Sequence, residues 1–128
     1  DIVFALDVLE HVENIHFLLD EVIRVSKFEA IIALPNMSYW KFRLRFLKGK
    51  DISKKYLFSS VQVLDRHRWL TSYNSSINFV SENSAGNEVT IKRGFYQYRS
   101  NFLRFIDSYF CHIFPNLFTY VVFFHIKK

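Results

Sequence analysis

The residues best suited to chemistry stand close together: Asp7, Glu10 and His11 follow directly on the apolar run Ile2, Val3, Phe4, Ala5, Leu6. A histidine titrates near working pH, so His11 within hydrogen-bond reach of an acceptor is suited to remove its proton as a general base, with Glu10 beside it. The competing assignment is structural, with Glu10 and His11 only capping and orienting the helix that comes next. A second apolar run, residues 29–34, is halted at Pro35, which has no amide proton for a ladder. Ligands of open parallel sheets bind beyond the carboxyl ends of the strands. That rule puts Asp7, Glu10 and His11 on one rim with Pro35 and Asn36. The segment 39–56 is both aromatic and basic, holding Trp40, Lys41, Arg43, Arg45, Lys48, Lys50, Lys54 and Lys55. It suits an anionic acceptor, a membrane surface or a nucleic-acid backbone, or else it is a solvated cationic face.

These groups need a scaffold, and the pattern supplies one. Residues 1–6 are continuously apolar, as in a strand covered on both faces of a parallel sheet. From Asn14, an N-cap, Ile15, Leu18, Leu19, Val22 and Val25 recur at helical spacing, with Arg24 and Lys27 near the negative end of the dipole. That helix ends near Ser26, and residues 29–34 follow as a second strand. Strand, helix, strand implies a right-handed crossover and parallel pairing. Ser38 is placed to cap a helix over 39–48 that stops at Gly49, with Arg43 amid its apolar side and in need of a partner. Residues 51–68 show no period and read as a long loop of the kind that is often functional. Thr71 or Ser72 opens a helix with Tyr73, Ile77 and Val80 as its buried stripe, closed by the turn Ala85, Gly86, Asn87. Val89 and Ile91 alternate with Thr90 and Lys92 in a strand, and Phe102, Phe105, Ile106, Tyr109 and Phe110 mark another helix. Pro115 and Asn116 separate it from a last strand over 118–126.

The chain has 128 residues, half of them hydrophobic, which suits one domain with a real core and argues against a disordered tail. Lys and Arg outnumber Asp and Glu by 17 to 12, favouring anionic partners without identifying them. Cys111 is the single cysteine; it forms no internal disulfide and reads as a buried structural thiol in a reducing cytoplasm. No apolar stretch reaches membrane-spanning length, the segment 117–126 being too short and carrying His125. Asp1 enters the first strand without a turn before it, which reads as a cut inside or just before that strand.

Four segments in order, DIVFALDVLEHV (1–12), EVIRVSK (21–27), IIALPN (31–36) and HRWLT (67–71), resemble the class I S-adenosylmethionine-dependent methyltransferases. The nearest resemblance is to the group whose fourth strand ends in Leu-Glu-His. It implies an α/β fold with a Rossmann-like sheet in the order 3-2-1-4-5-7-6 and an antiparallel last strand. The strands here would be the fourth to the seventh, so residues 1–128 are expected to form the C-terminal portion of a single methyltransferase domain. The N-terminal cofactor-binding half would be absent, and Gly49, Gly86 and Gly94 indeed form no phosphate-loop pattern.

The resemblance further implies methyl transfer from S-adenosylmethionine to an oxygen or nitrogen of a small or lipid-linked acceptor, in the intact parent protein. On that footing Asp7 and Leu9 adjoin the cofactor, Glu10 and His11 are catalytic, and Asn36, Trp40, Arg43 and His67 meet the acceptor. The D-x-x-E-H set is also similar to the E-x-x-E-H motif of ubiquinone-pathway O-methyltransferases and plant small-RNA methyltransferases, where magnesium positions the hydroxyl. His67 resembles the second histidine of the RNA enzymes. Asp7, with its shorter arm, departs from the motif; the reading adopted is without metal, and Asp7, Glu10, His11 and His67 are the alternative magnesium set. His16, His112 and His125 read as surface or core histidines, and Trp69 and Tyr73 as packing. The alternative function is a non-catalytic basic module that docks on nucleic acid or anionic membrane through residues 39–55.

Overall fold

The computed structural model describes residues 1–58, 60–62, 65–84, 86–97 and 100–128. Strand β1 (Ile2–Leu6) leads through helix α1 (Ile15–Val25) to β2 (Glu29–Pro35). The two strands pair in parallel, Ile2 opposite Glu29 and Leu6 opposite Ala33. Helix α1 starts where the Asn14 side chain accepts from the Phe17 amide at 3.0 Å, the expected cap. It ends as the Ser26 hydroxyl donates to the Ile23 carbonyl at 2.8 Å. Beyond β2 come α2 (Trp40–Leu47), α3 (Tyr73–Asn83), β3 (Glu88–Gly94), α4 (Asn101–Phe110), α5 (Pro115–Phe118) and β4 (Val121–Lys127). Among the described residues the strands form one sheet in the order β1-β2-β4-β3, with β4 antiparallel to both neighbours. The fold is therefore α/β with a mixed four-stranded sheet, its last strand reversed as expected.

One face of that sheet carries the core. Strand alternation sends Val3 and Ala5, then Ala30, Ile32 and Leu34, then Val122, Phe124 and Ile126 to the same side, where Leu19, Val22 and Ile23 of α1 and Tyr73 and Val80 of α3 cover them. Ser72 caps α3 in a reciprocal pair with Ser75, and Tyr73 and Val80 are buried with Ile77 packed beside them. The other side of β1 is open. Ile2, Phe4 and Leu6 are 50, 62 and 48% exposed, so β1 is an edge strand covered on one face, not the doubly covered strand its composition suggests.

Other expectations are corrected in detail. Pro35 belongs to β2 and pairs with Val121. The next amide, Asn36, donates toward β4 at Tyr120, so alternation turns the Pro35 nitrogen to the β1 side, where β1 has already ended and no ladder bond is lost. Ser38 does not cap α2; Tyr39 stands there without a side-chain cap, and the Ser38 carbonyl instead accepts from Arg43 Nε at 2.7 Å, giving that arginine its partner. Residues 115–118 form a short helix with proline in its first turn, and the last strand begins only at Val121. Helix α4 forms where its aromatics recur, yet Phe102, Phe105 and Tyr109 are exposed and Asp107 is its buried residue. Asp107 accepts from the Tyr39 hydroxyl and, at 3.0 Å, from Trp40 Nε1. Cys111 is buried, its thiol donating to the Ser108 carbonyl. Of the turn at 85–87, Ala85 lies outside the described residues, and Gly86 has φ +77°. Among the described residues no helix is long and apolar enough to cross a membrane.

Asn36 ties the elements together. Its amide nitrogen donates to the Asn116 carbonyl at 2.9 Å and the Thr119 carbonyl at 2.6 Å. Its oxygen accepts from the Ser38 amide at 3.0 Å and the Tyr73 amide at 3.1 Å. One buried side chain thus joins the end of β2 to the start of α3 and to the turn before β4. Asn36→Leu removes all four partners inside the protein, and urea unfolding should show a loss of about 3 kcal/mol or more, since each orphaned buried group costs roughly 1–3 kcal/mol.

Candidate functional site

At the carboxyl end of β1 the Asp7 amide makes the last rung, to the Ala33 carbonyl at 3.2 Å. Asp7 then adopts φ +51°, an uncommon conformation that aspartate tolerates better than most residues, and swings the chain off the sheet. A single 3-10 turn, Leu9–His11, follows. It drops Leu9 into the core and Glu10 beneath the rim, each 1% exposed. The Glu10 carbonyl accepts from the Arg68 amide at 2.8 Å and the Trp69 amide at 3.4 Å, and Trp69 Nε1 donates to the Val12 carbonyl at 2.7 Å. Those bonds dock residues 66–69 on the turn, although they are more than fifty positions away along the chain.

Three side chains meet under this dock. His11 Nδ1 lies 2.9 Å from the Arg66 carbonyl, which can only accept, so that nitrogen carries a proton, and in the neutral ring Nε2 is the free acceptor. The Tyr56 hydroxyl donates to the Trp69 carbonyl at 2.8 Å and so accepts from His67 Nδ1 at 3.0 Å. In neutral His67, Nε2 is likewise the free acceptor. Both Nε2 atoms face Glu10 Oε1, at 3.9 Å from His11 and 4.0 Å from His67. These separations exceed hydrogen-bond length, and among the described residues neither Glu10 oxygen finds a hydrogen-bond partner.

Burial governs the electrostatics. It holds the Glu10 carboxyl above its ordinary range. It depresses His67 to about 4, helped by the charges of Lys55 and His11, so that imidazole stays neutral at pH 7. Tyr56 is pushed up to about 12 by burial and then by Glu10, and remains a phenol. Lys55 is held by Asp65 at 3.0 Å, and Asp65 also lies 3.5 Å from His11 Nε2.

A cavity of about 410 Å³ opens beside the cluster at the carboxyl ends of β1 and β2, and Asp7, Glu10, Pro35, Lys55, His67 and Tyr120 are among its walls. A smaller apolar cavity of about 180 Å³ lies between Leu9, Ile15, Trp69 and Phe79 and also reaches Glu10. Of the residues singled out by type and spacing, Glu10, His11 and His67 thus come together, and Asp7 lies on the wall of the same cavity as Glu10 and His67. Asn36 sits at the base of the rim with its amide fully occupied by backbone groups. Trp40 is turned to Asp107, and Arg43 to the Ser38 carbonyl beside a different cavity. Several cations of the basic segment are likewise folded inward: Arg45 onto the Asp51 carbonyl, Lys41 over the Tyr96 ring, Lys55 onto Asp65. Tyr56 and Asp65 were not individually foreseen, and Lys55 was named only among the cations of the basic segment. The absence of any period across 51–68 was the available signal, since a long loop without its own core must be packed onto something.

Residues 1–84 match the family described as methionine biosynthesis protein MetW. The chain belongs to that family. The match to MetW runs from β1 through α3 and takes in the three convergent residues and Asp7. MetW is a methyltransferase-like family, so the kinship carried by segments 1–12, 21–27, 31–36 and 67–71 holds at that level. No curated protein matches the chain.

The depressed pKa of His67 makes stability depend on pH. An ordinary histidine titrates near 6.5, so between about 6.5 and 4 the unfolded chain binds a proton that the folded one does not. The contribution is full above that window and is lost as pH falls through it. Glu10, with its carboxyl raised, works in the opposite sense around the ordinary carboxylate range. In chelator-treated buffer the urea midpoint should fall between pH 7 and pH 5 for the wild type and fall less for His67→Gln.

Proposed function

We propose that the protein takes part in S-adenosylmethionine-dependent methylation of an oxygen or nitrogen on a small or lipid-linked acceptor. The observation that carries this reading is the Glu10 carboxyl at the carboxyl end of β1, in the wall of a cavity of about 410 Å³ that Asp7 and His67 also line, with His11 next to it in the same cluster. Membership of a methyltransferase-like family supports it. The family description, a methionine biosynthesis protein, favours the small-molecule acceptor of the two.

The lip of the cavity suits a sulfonium cation, because Asp7 and Glu10 both line it. The grip on a nucleoside is not built from the glycines of this chain. Gly49 and Gly86 lie in turns with φ +67° and +77°, and a Cβ on Gly94 would meet Val121 Cγ1 at 2.3 Å. When bound, the cofactor supplies an electrophilic methyl group on a positively charged sulfur. Asp7 and Glu10 draw that charge to the rim, and His11 Nε2 accepts the proton of the acceptor as its lone pair bonds the methyl carbon; the electrons of the broken sulfur–carbon bond stay on sulfur. The order β1-β2-β4-β3 with β4 reversed supports reading these strands as the fourth, fifth, seventh and sixth of the methyltransferase sheet. The exposed Ile2, Phe4 and Leu6 of edge strand β1 support placing the cofactor-gripping half of the domain against that edge.

Two measurements test the reading. In the complete protein, His11→Ala should lower methyl transfer from labelled S-adenosylmethionine by roughly 10²–10⁴-fold, the usual worth of a general base, with the circular dichroism unchanged; undiminished turnover would exclude His11 from the proton's path. Residues 1–128 alone should bind the cofactor more weakly than micromolar by calorimetry, and micromolar binding would refute the division of labour across the edge of β1.

A further inference from the structure

The most unusual group in the molecule is the Glu10 carboxylate. A carboxylate taken out of water without a full set of donors costs several kcal/mol, yet Glu10 is 1% exposed and, among the described residues, its oxygens find no partner at hydrogen-bond geometry, its own backbone amide giving only partial relief. Its neighbours in the cluster do not relieve it. In their neutral tautomers both histidines would turn Nε2 lone pairs toward Oε1, because Nδ1 of each is committed to the Arg66 carbonyl or the Tyr56 hydroxyl. One carboxylate oxygen and two imidazole nitrogens thus converge on one point.

We propose that Glu10, His11 and His67 bind a divalent transition-metal cation through one Glu10 oxygen and the Nε2 atoms of both imidazoles. One ligand atom from each residue lies within 4.8 Å of the other two. Ligands about 2.0–2.2 Å from a tetrahedral ion sit roughly 3.4 Å apart, so the 3.9 and 4.0 Å separations need to close by only about half an ångström. The supports are those a metal-binding histidine requires: a carbonyl behind His11 and a phenol behind His67 orient the rings and fix the tautomers. His67, kept neutral at pH 7, need not lose a proton to ligate.

The donor set also states a preference. Two imidazoles and one carboxylate suit zinc, cobalt, nickel or iron, whereas magnesium and calcium favour oxygen-rich shells. Asp7 does not belong to the convergent group, which separates this site from the four-residue magnesium set implied by the sequence resemblance. Three protein ligands leave a position open, and Glu10 and His67 line the cavity of about 410 Å³ that can fill it. The ammonium of Lys55 is an opposing charge at the site, and Asp65 holds it at 3.0 Å.

The site shares its side chains with the proposed methyl transfer, but its test needs neither cofactor nor acceptor, so the failure of one reading is distinguishable from the failure of the other. With an ion seated, Glu10, His11 and His67 would hold it, and it would supply the positive charge that lowers the pKa of a hydroxyl in the open position, a task otherwise left to His11 as base.

The experiment titrates the chelator-stripped full chain with zinc, cobalt or magnesium chloride alone. One zinc should bind per chain, with magnesium at least about 100-fold weaker. Cobalt should give the visible absorption of a four- or five-coordinate ion. Glu10→Gln, which keeps the shape of the side chain, should weaken zinc binding at least tenfold and abolish the cobalt band. It should also melt above the metal-free wild type, since it removes the buried charge, and gain no thermal stability from zinc. His16→Ala, whose ring bonds Asn83, should bind as the wild type does. No stoichiometric binding, binding that survives Glu10→Gln, or magnesium binding equal to that of zinc would each overturn the proposal.

Discussion

The parallel register of β1 on β2 is the constraint from which the rest of the molecule follows. Pairing Leu6 with Ala33 ends β1 two residues short of the end of β2, and the Asp7 amide makes the last bond of that ladder before its positive φ breaks the strand direction. A shift of one residue would exchange the two faces of β1. Ala5 and Val3 would then leave the core, and the turn that carries Glu10 and His11 would emerge on the other side of the sheet. The position of the cluster is thus held by the same hydrophobic alternation that holds the fold.

Glu10 illustrates how local cost and site chemistry meet. The 3-10 turn buries its side chain, while its own carbonyl anchors the returning segment at Arg68 and Trp69. That anchoring brings His67 and Tyr56 over the carboxylate and completes the enclosure. A buried carboxyl without a partner at hydrogen-bond geometry, set against two imidazoles, is an arrangement that stability alone would not select. It becomes reasonable when a cation, whether sulfonium or metal, is the missing partner.

Apolar surface is distributed unevenly around this core. Helices α1 and α3 cover one face of the sheet, whereas Ile2, Phe4 and Leu6 look outward from the opposite face of β1. Helix α4 is attached through a polar contact instead, Asp107 receiving Tyr39 and Trp40, with its aromatics turned outward. Periodicity reports that such residues share a side of a helix; it does not say whether anything covers that side.

Much was legible in the amino-acid order alone. The two apolar runs, the Asn14 cap, the stripe of α1 and the stop at Ser26 are local matters of side-chain spacing and backbone bonding, and together they imply the parallel pair and the rim bearing Asp7, Glu10 and His11. Tertiary structure decided what had no local signature. Asn36 is a structural tie because Asn116, Thr119, Ser38 and Tyr73 converge on it, and Trp40 faces Asp107, sixty-seven residues on. His67 joins Glu10 because backbone bonds dock an aperiodic loop on a 3-10 turn far away in the chain. Short-range order is set by torsions and by spacing over a few residues. Which side chains face one another depends on how distant segments close on one another.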